Sequence, residues 1–483
     1  MLEIAMQVYP PKLHNNCKFQ ELISRNILFY LVIWNKISNF AAKIRCYTYY
    51  AIHNMIQEIK IKNFLSFRDE VVLNFEATKD NTFEDCQVVN VTPKVRLLRF
   101  ALIYGPNASG KSNLLAAFDF LREFWFDIKS DIDEETGAIP FLLDIDTPNQ
   151  PSEFNIIFYI GEKKYWYLLV LDSKKVIKEE LYVYKSVQPS LVFSRTMEGM
   201  QSVAKFNSNL VKTSAAITEQ LNLKCLPNMS LFAARNQVNC SLAYIDDVRD
   251  WMRNNMLPTI TPDTNMFEYA GKKMDKEKEL KSYILDFVRK ADFNITDVLS
   301  QREKLTLPGF IRSSIVEDKN IPAKVKESML AENSMERLKT DFQHTVRNSR
   351  GIEKYILPNK LQSDGTRRTF GIEAAIYEAL QNESLLPVDE IESSLHPELV
   401  EFIIQKFLSE NNRSQLMVTS HYDPLLNTVD DLIRKDMVWF TEKGEDGHTK
   451  LYSLTDFRGL GRITSFQKSY RNGVFGALPN IHE

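Results

Sequence analysis

Gly105-Pro106-Asn107-Ala108-Ser109-Gly110-Lys111-Ser112 fills every fixed position of the pattern G-x-x-x-x-G-K-[ST], in which a glycine-rich turn wraps a polyphosphate. No glycine precedes Gly105, so the first two glycines stand at the two points where such a backbone must turn tightly. A helix beginning near Lys111 offers its positive N-terminal end to the anion. Lys111 reaches the β and γ phosphates, and Ser112 supplies a hydroxyl to Mg²⁺. Gly105, Pro106, Asn107, Ala108, Ser109, Gly110, Lys111, Ser112 and Asn113 form the candidate nucleotide-binding set. Upstream, Leu97–Tyr104 reads as one buried parallel strand, and downstream Asn113–Phe118 opens a helical pattern with apolar spacing. Strand, loop and helix in that order define an α/β fold of the P-loop NTPase class.

The 483 residues can hold two to four domain-sized units, and 44% hydrophobic with 25% charged residues is ordinary for a globular protein. A formal net charge of −3 supplies no global basic field that would demand nucleic acid, although a local groove remains compatible with it. The five cysteines form no C-x-x-C pair and no metal-ligand spacing with the seven histidines, which points to a reducing, cytoplasmic setting. The apolar run Ile27–Trp34 is too short to span a membrane, and no small-residue cleavage pattern follows it. Residues 1–54 read as an N-terminal extension, with Met55 as the natural start.

From Met55 the pattern is a nucleotide-binding fold interrupted in its middle. Residues 55–211 hold an alternating strand and hairpin, the phosphate loop, and an antiparallel meander over Phe154–Phe158, Tyr165–Leu171 and Leu181–Tyr184. Residues 212–345 read as a mainly helical insertion with solvated charged faces and no sustained heptad. Residues 346–483 read as a second ATPase lobe.

That lobe carries three further pieces. Ser363-Asp364-Gly365 precedes a helix from about Arg368; such a turn is an anion site, although alone it is also a common helix cap. Ser384–Glu390 is an apolar strand ending in two carboxylates, of which Asp389 would hold Mg²⁺ and Glu390 would take a proton from the attacking water. Pro387 inside that strand removes a ladder donor. Gln415–His421 is a strand ending in a histidine able to stabilise charge on the γ phosphate.

Together these phrases resemble an ABC-type ATPase head of the SMC, RecF and OLD kind, and specifically the bacterial AAA-family ATP/GTP phosphatases of the RloA or abortive-infection type. The resemblance rests on Ile59–Phe67, Tyr104–Leu115, Leu361–Arg368, Val388–Pro397, Thr419–Leu426, Arg434–Phe457 and Tyr470–Pro479, and covers the chain from Met55 nearly to its end. It implies an antiparallel β lobe beside the ATPase core and ATP with Mg²⁺ as ligands. It also implies that Ser363 and Gly365 form a signature element closing on a partner's nucleotide in a head-to-head dimer or higher homo-oligomer. Ser394–Pro397 matches the D-loop, His421 the switch histidine, and Gln237 the Q-loop glutamine near the metal, while Asp364 replaces a glycine usual in transporters. Lys111, Glu390 and His421 are the expected catalytic set, with Ser112, Asp389 and Gln237 on the metal side.

The resemblance implies an ATPase acting as an oligomeric sensor or scaffold in bacterial anti-phage defence. The last 62 residues after His421 contain no D-x-D pair, and Asp131-Ile132-Asp133 and Asp144-Ile145-Asp146 read as solvated loop acids. A nuclease or toxin-like effector is therefore expected to be a separate protein. The alternatives are a RecF-like repair ATPase whose dimer clamps DNA, and a nucleotide-gated binding module with little turnover. No membrane partner is expected.

Overall fold

The computed structural model describes residues 54–479, apart from 200, 292–293 and most of 307–333. The N-terminal extension expected over 1–54 lies outside the described residues except for Asn54.

The alternation that starts at Met55 produces β1 (Asn54–Lys62), which pairs antiparallel with β2 (Val71–Asn74), Ile59 opposite Leu73. The turn between them is closed by Phe64 N donating to Phe67 O at 3.0 Å. The stretch expected as one strand over Leu97–Tyr104 is two: β4 (Val95–Leu98) pairs antiparallel with β3 (Val88–Thr92), and β5 (Phe100–Tyr104) enters a different sheet. The break falls at Arg99, which is 1% exposed. Its guanidinium donates to the carbonyls of Cys86, Phe407, Leu408 and Glu410, and burial pulls its pKa down to about 10. An arginine that satisfies four carbonyls cannot also continue a flat apolar strand.

After the phosphate loop comes α1 (Lys111–Phe124), whose Leu114, Leu115, Phe118 and Leu121 are buried. The meander follows as β6 (Ser152–Ile160), β7 (Lys163–Leu171), β8 (Val176–Tyr184), β9 (Pro189–Glu198) and β10 (Gln201–Phe206). With β1 and β2 they make a seven-stranded antiparallel sheet in the order β10-β9-β8-β7-β6-β1-β2. Phe154 on its inner face stacks on Phe120 of α1 at 5.1 Å, so this helix lines the antiparallel sheet directly.

The middle of the chain is helical through α2 (Ala215–Lys224), α3 (Leu231–Arg235), α4 (Ile245–Asn254), α5 (Met266–Lys276) and α6 (Lys278–Lys290). It then departs from the helical expectation: β11 (Ile295–Thr306), β12 (Ser334–Asn348) and β13 (Gly351–Pro358) form a separate antiparallel sheet. The charge-rich stretch Lys272–Lys281 does lie on helices, α5 and the start of α6, whereas in the sheet Lys339 pairs across strands with Glu303 at 3.7 Å, and Lys281 of α6 reaches Asp297 at 2.8 Å.

The last part supplies α7 (Asp364–Asn382), β14 (Leu385–Val388), α8 (Pro397–Ser409), β15 (Gln415–Ser420), β16 (Val438–Lys443), β17 (Thr449–Ser453) and α9 (Phe466–Arg471). The second large sheet runs β14-β15-β5-β16-β17, the first four strands parallel, with Val388 opposite Val418, Val418 opposite Leu102, and Leu102 opposite Val438. The buried Gln415 amide joins the two large sheets: it accepts from Ile56 N at 2.7 Å and donates to Ile56 O at 2.9 Å and Leu98 O at 3.2 Å. The parallel strands therefore end together at one edge, where ligands of open α/β sheets bind.

Candidate functional site

The phosphate loop leaves β5 at Tyr104. Gly110, with φ 102°, is the N-cap of α1, and no side chain caps that end, so its N–H groups stand open to an anion. A Cβ on Gly110 would lie 2.3 Å from Thr449 Oγ1, and one on Gly105 would lie 2.3 Å from Thr441 Oγ1. The threonines of β16 and β17 thus press against both glycines. Thr449 Oγ1 sits 2.9 Å from Ser109 O and 2.8 Å from Ser66 Oγ, and Ser109 Oγ sits 2.6 Å from Thr441 Oγ1. Ala108 has φ 61°, a left-handed conformation stored inside the loop.

Lys111 is 5% exposed, and its ammonium donates to Gly105 O at 2.8 Å and Pro106 O at 3.1 Å. Burial lowers its pKa, opposed by Glu390, Asp389 and Glu392, whose charges reach it. A buried cation held by carbonyls beside an uncapped helix end fits the phosphates of a nucleotide, since both lack a fixed anion. Ser112 and Asn113 lie on the first turn of α1, Ser112 exposed.

Asp389 and Glu390 follow β14. Thr419, at the end of the neighbouring β15, organises both: its hydroxyl donates to Asp389 Oδ1, and Glu390 N donates to its Oγ1 at 2.9 Å. Glu390 has φ 45°, and Ser394 four residues on has φ 60°. Together with Ala108 these are three of the ten non-glycine residues at positive φ among the described residues. Arg368, in the second turn of α7, donates to the carbonyls of Asp389 at 3.1 Å and Glu390 at 3.0 Å. It also donates to Thr261 O at 3.1 Å and Pro262 O at 3.3 Å. Burial lowers its pKa against the opposing pull of Glu392, Glu390 and Asp389.

His421 caps the end of β15 with its side chain half exposed. Its backbone N donates to Glu392 Oε1 at 2.9 Å, and its ring Nδ1 lies 3.1 Å from the same oxygen. The buried Tyr104 hydroxyl donates to Tyr422 O, tying the histidine turn to the strand that delivers the phosphate loop. Ser363 caps α7, accepting from Thr366 N at 3.1 Å, so that helix starts at Asp364, earlier than the pattern suggested. A Cβ on Gly365 would meet Ser394 O at 2.5 Å, which packs the serine-glycine turn against the loop after the carboxylates.

Gln237 is the residue expected on the metal side. It lies exposed in the turn after α3, its N donating to Ala234 O at 3.0 Å. Ser230, which caps α3, donates to Trp125 O at 2.8 Å, at the far end of the fourteen-residue α1, about 20 Å along the axis from Gly110. The place beside the carboxylate strand belongs instead to residues 256–264. Met256 and Ile260 bridge in parallel to Leu385 and Val388, and Asp389 N donates to Ile260 O at 2.8 Å. Pro387 explains why this neighbour is bridges and not a regular strand: its missing N–H falls between Leu385 N, bound to Asn255 O, and Asp389 N, bound to Ile260 O. Thr419, Arg368, Glu392, Thr441, Thr449 and Ser66 were not singled out from sequence. Position is the available signal, since Thr419 stands two residues before His421 and Arg368 five after Ser363.

A phosphate loop between parallel strands that end in a carboxylate pair and a histidine defines an α/β fold of the P-loop NTPase class. The chain belongs to the family described as "AAA domain, putative AbiEii toxin, Type IV TA system", whose model matches residues 100–427. Similar solved structures include an SMC head domain from Thermotoga maritima (12% identity, covering 82% of this chain and 98% of that one, TM-score 0.39). Another is an SMC head bound to the C-terminal winged-helix domain of ScpA (11% identity, 86% and 99% covered, TM-score 0.37). No curated protein sequence matches the chain. Among the described residues no helix is long and apolar enough to cross a membrane.

Proposed function

We propose that the chain binds and hydrolyses ATP, and that it works as an oligomeric sensor or scaffold in anti-phage defence, passing its state to a separate nuclease or toxin-like effector. The observation that carries the hydrolytic reading is the convergence of Lys111, Asp389, Glu390 and His421, joined through Thr419 and Glu392, at one edge of the parallel sheet. Residues Gly105 to Asn113 bind the phosphates, with Lys111 moving from the carbonyls of Gly105 and Pro106 to the β and γ oxygens. Ser112 and Asp389 would hold Mg²⁺, which supplies positive charge to the triphosphate. Glu390 takes the proton of the attacking water, and His421, oriented by Glu392, stabilises charge on the γ phosphate.

Ser363 and Asp364 are exposed at the start of α7, and we assign this turn, as a signature element, to a second copy of the chain. That turn closes the partner's site in a head-to-head dimer, and hydrolysis resets it. The family description, which names a putative AbiEii toxin and a Type IV TA system, supports the defence role. ATP turnover of the full chain and of Glu390→Gln tests the hydrolytic reading: the variant retains ATP with turnover reduced roughly 10²- to 10⁴-fold. Equal turnover in both would remove Glu390 from the role of base. Co-purification with and without ATP, followed by a nuclease assay of the bound material, tests the effector; chain that binds DNA unaided in a salt-dependent, ATP-strengthened way would favour the repair reading instead.

A further inference from the structure

The sequence phrase Tyr470–Pro479 has no part in the chemistry above, yet the fold places it beside the phosphate loop. A cavity of about 1150 Å³ has Gly105–Ala108 and His421 on one side and Arg471, Gly473 and Gly476 on the other. This second wall is fixed. After α9 the chain turns through Gly473 and Gly476, both at positive φ, and lays Phe475 and Ala477 into the core. Tyr452 Oη donates to Phe475 O at 2.8 Å, Tyr470 Oη donates to Ala477 O at 2.7 Å, and Ala477 N donates to Glu442 Oε1 at 3.2 Å.

From this wall one side chain reaches back toward the histidine. Arg471 grips Asp423 with two nitrogens, Nη2 donating to Oδ1 at 3.1 Å and Nε to Oδ2. Gln467, one turn earlier on α9, donates to Asp423 Oδ1 at 3.2 Å and accepts from Asn427 Nδ2 at 2.8 Å. Burial works against the charge on Asp423, but Arg471 and Gln467 outweigh it and hold the carboxyl below its ordinary range. Asp423 is two residues from His421. The intervening Tyr422 is fixed by the Tyr104 hydroxyl on its carbonyl and by its own N–H on Ser420 Oγ at 3.0 Å. The histidine turn therefore has one anchor on the phosphate-loop strand, one on Glu392 in the loop after the carboxylates, and one on the C-terminal segment.

We propose that Arg471 is a positioning residue for His421: through its two-pronged pair with Asp423, the C-terminal segment sets where the histidine stands against the γ phosphate. The effect on turnover rests on the hydrolytic reading above; the effect on the turn itself does not. The geometry makes the arm selective. It touches neither Lys111 nor the carboxylates, so its loss should spare nucleotide binding and slow the step that needs a placed histidine.

The test uses the full chain with Arg471→Ala, Arg471→Lys, Asp423→Asn and the Arg471→Ala/Asp423→Asn double variant, with two readouts. In steady-state ATP turnover, Arg471→Ala lowers kcat roughly 10- to 100-fold, the scale of a small displacement of a reacting group, with KM within about twofold. Arg471→Lys recovers part of the loss, and the double variant is no worse than the worse single one. In amide hydrogen exchange without nucleotide, peptides spanning 419–426 exchange at least about tenfold faster in Arg471→Ala while those spanning 105–118 do not change. Unchanged exchange over 419–426, or exchange rising equally throughout the chain, overturns the proposal. So does a loss expressed in KM, or an additive double variant. If the wild-type chain shows no ATP turnover, the hydrolytic reading fails while the exchange measurement still decides whether Arg471 holds the turn.

Discussion

Glu373 lies in the middle of α7, the helix that starts at the signature serine, and it is completely buried. Its cationic partner among the described residues is Lys406 of α8, whose ammonium is 3.2 Å from Oε2 and sits 3.5 Å above the ring of Tyr283 in α6. Burial raises the carboxyl from its ordinary 4.5 to about 7, with Lys406 pulling the other way and losing. The folded protein then keeps a proton that the unfolded chain releases at about 4.5. Between those values the folded state binds more protons, so stability falls as pH rises through the window. At about 1.36 kcal/mol per pH unit the whole effect is about 3 kcal/mol, all of it present below pH 4.5 and lost above pH 7. Glu373→Gln keeps the shape and cannot titrate. Urea denaturation of wild type and variant at pH 5 and pH 8 isolates the group, because every other carboxylate is common to both. The wild type should lose about 2.5 kcal/mol relative to the variant on going from pH 5 to pH 8, the part of the effect already gone at pH 5 being excluded. A difference between the two proteins that is constant with pH, or that moves in the wild type's favour as pH rises, would refute the assignment of a protonated Glu373 at the α7–α8 contact.

Thr419→Val leaves Glu390 N without its acceptor and frees Asp389 Oδ1, at a cost of about 1–3 kcal/mol for the orphaned group; urea denaturation reads that loss, and turnover should fall while nucleotide affinity changes little. Gly110→Ala must take up φ 102° with its Cβ 2.3 Å from Thr449 Oγ1, so calorimetric titration with a non-hydrolysable ATP analogue should show binding abolished. Gln237→Ala, at an exposed position in the turn after α3, should leave both ATP affinity and turnover at wild-type values; a tenfold loss in either would restore it to the site.

What could be read from sequence was what is local. The phosphate loop, the carboxylates after Val388 and the histidine after Ser420 each combine a short apolar run with polar residues at its end, and a run plus its terminus is a local pattern. The break at Arg99 was hidden because the carbonyls that hold it come from Cys86 and from residues 407–410, far away in the chain. Met256–Ile260 has neither alternation nor length, and it takes extended form only because β14 lies beside it with a proline in the middle. Thr419 and Arg368 act on the backbone of residues twenty to thirty positions away, which no spacing rule encodes. The strands β11 and β12 were masked by charge. A lysine-rich, glutamate-rich stretch is equally compatible with a solvated helix until its cross-strand partners are known.

The pairing of β5 has a consequence for how the chain is made. Its neighbours are β15 and β16, so the strand carrying the phosphate loop is synthesised 311 residues before the first of them begins, from Tyr104 to Gln415. At 5–20 residues per second a ribosome takes roughly 15–60 s to cover that distance. Throughout that interval the five apolar residues Phe100–Tyr104, all buried in the finished protein, have no sheet to enter. The antiparallel sheet, complete by Phe206, can close early, whereas the parallel sheet cannot. A truncated translation product would expose an unpaired apolar strand, which makes premature termination a route to aggregation.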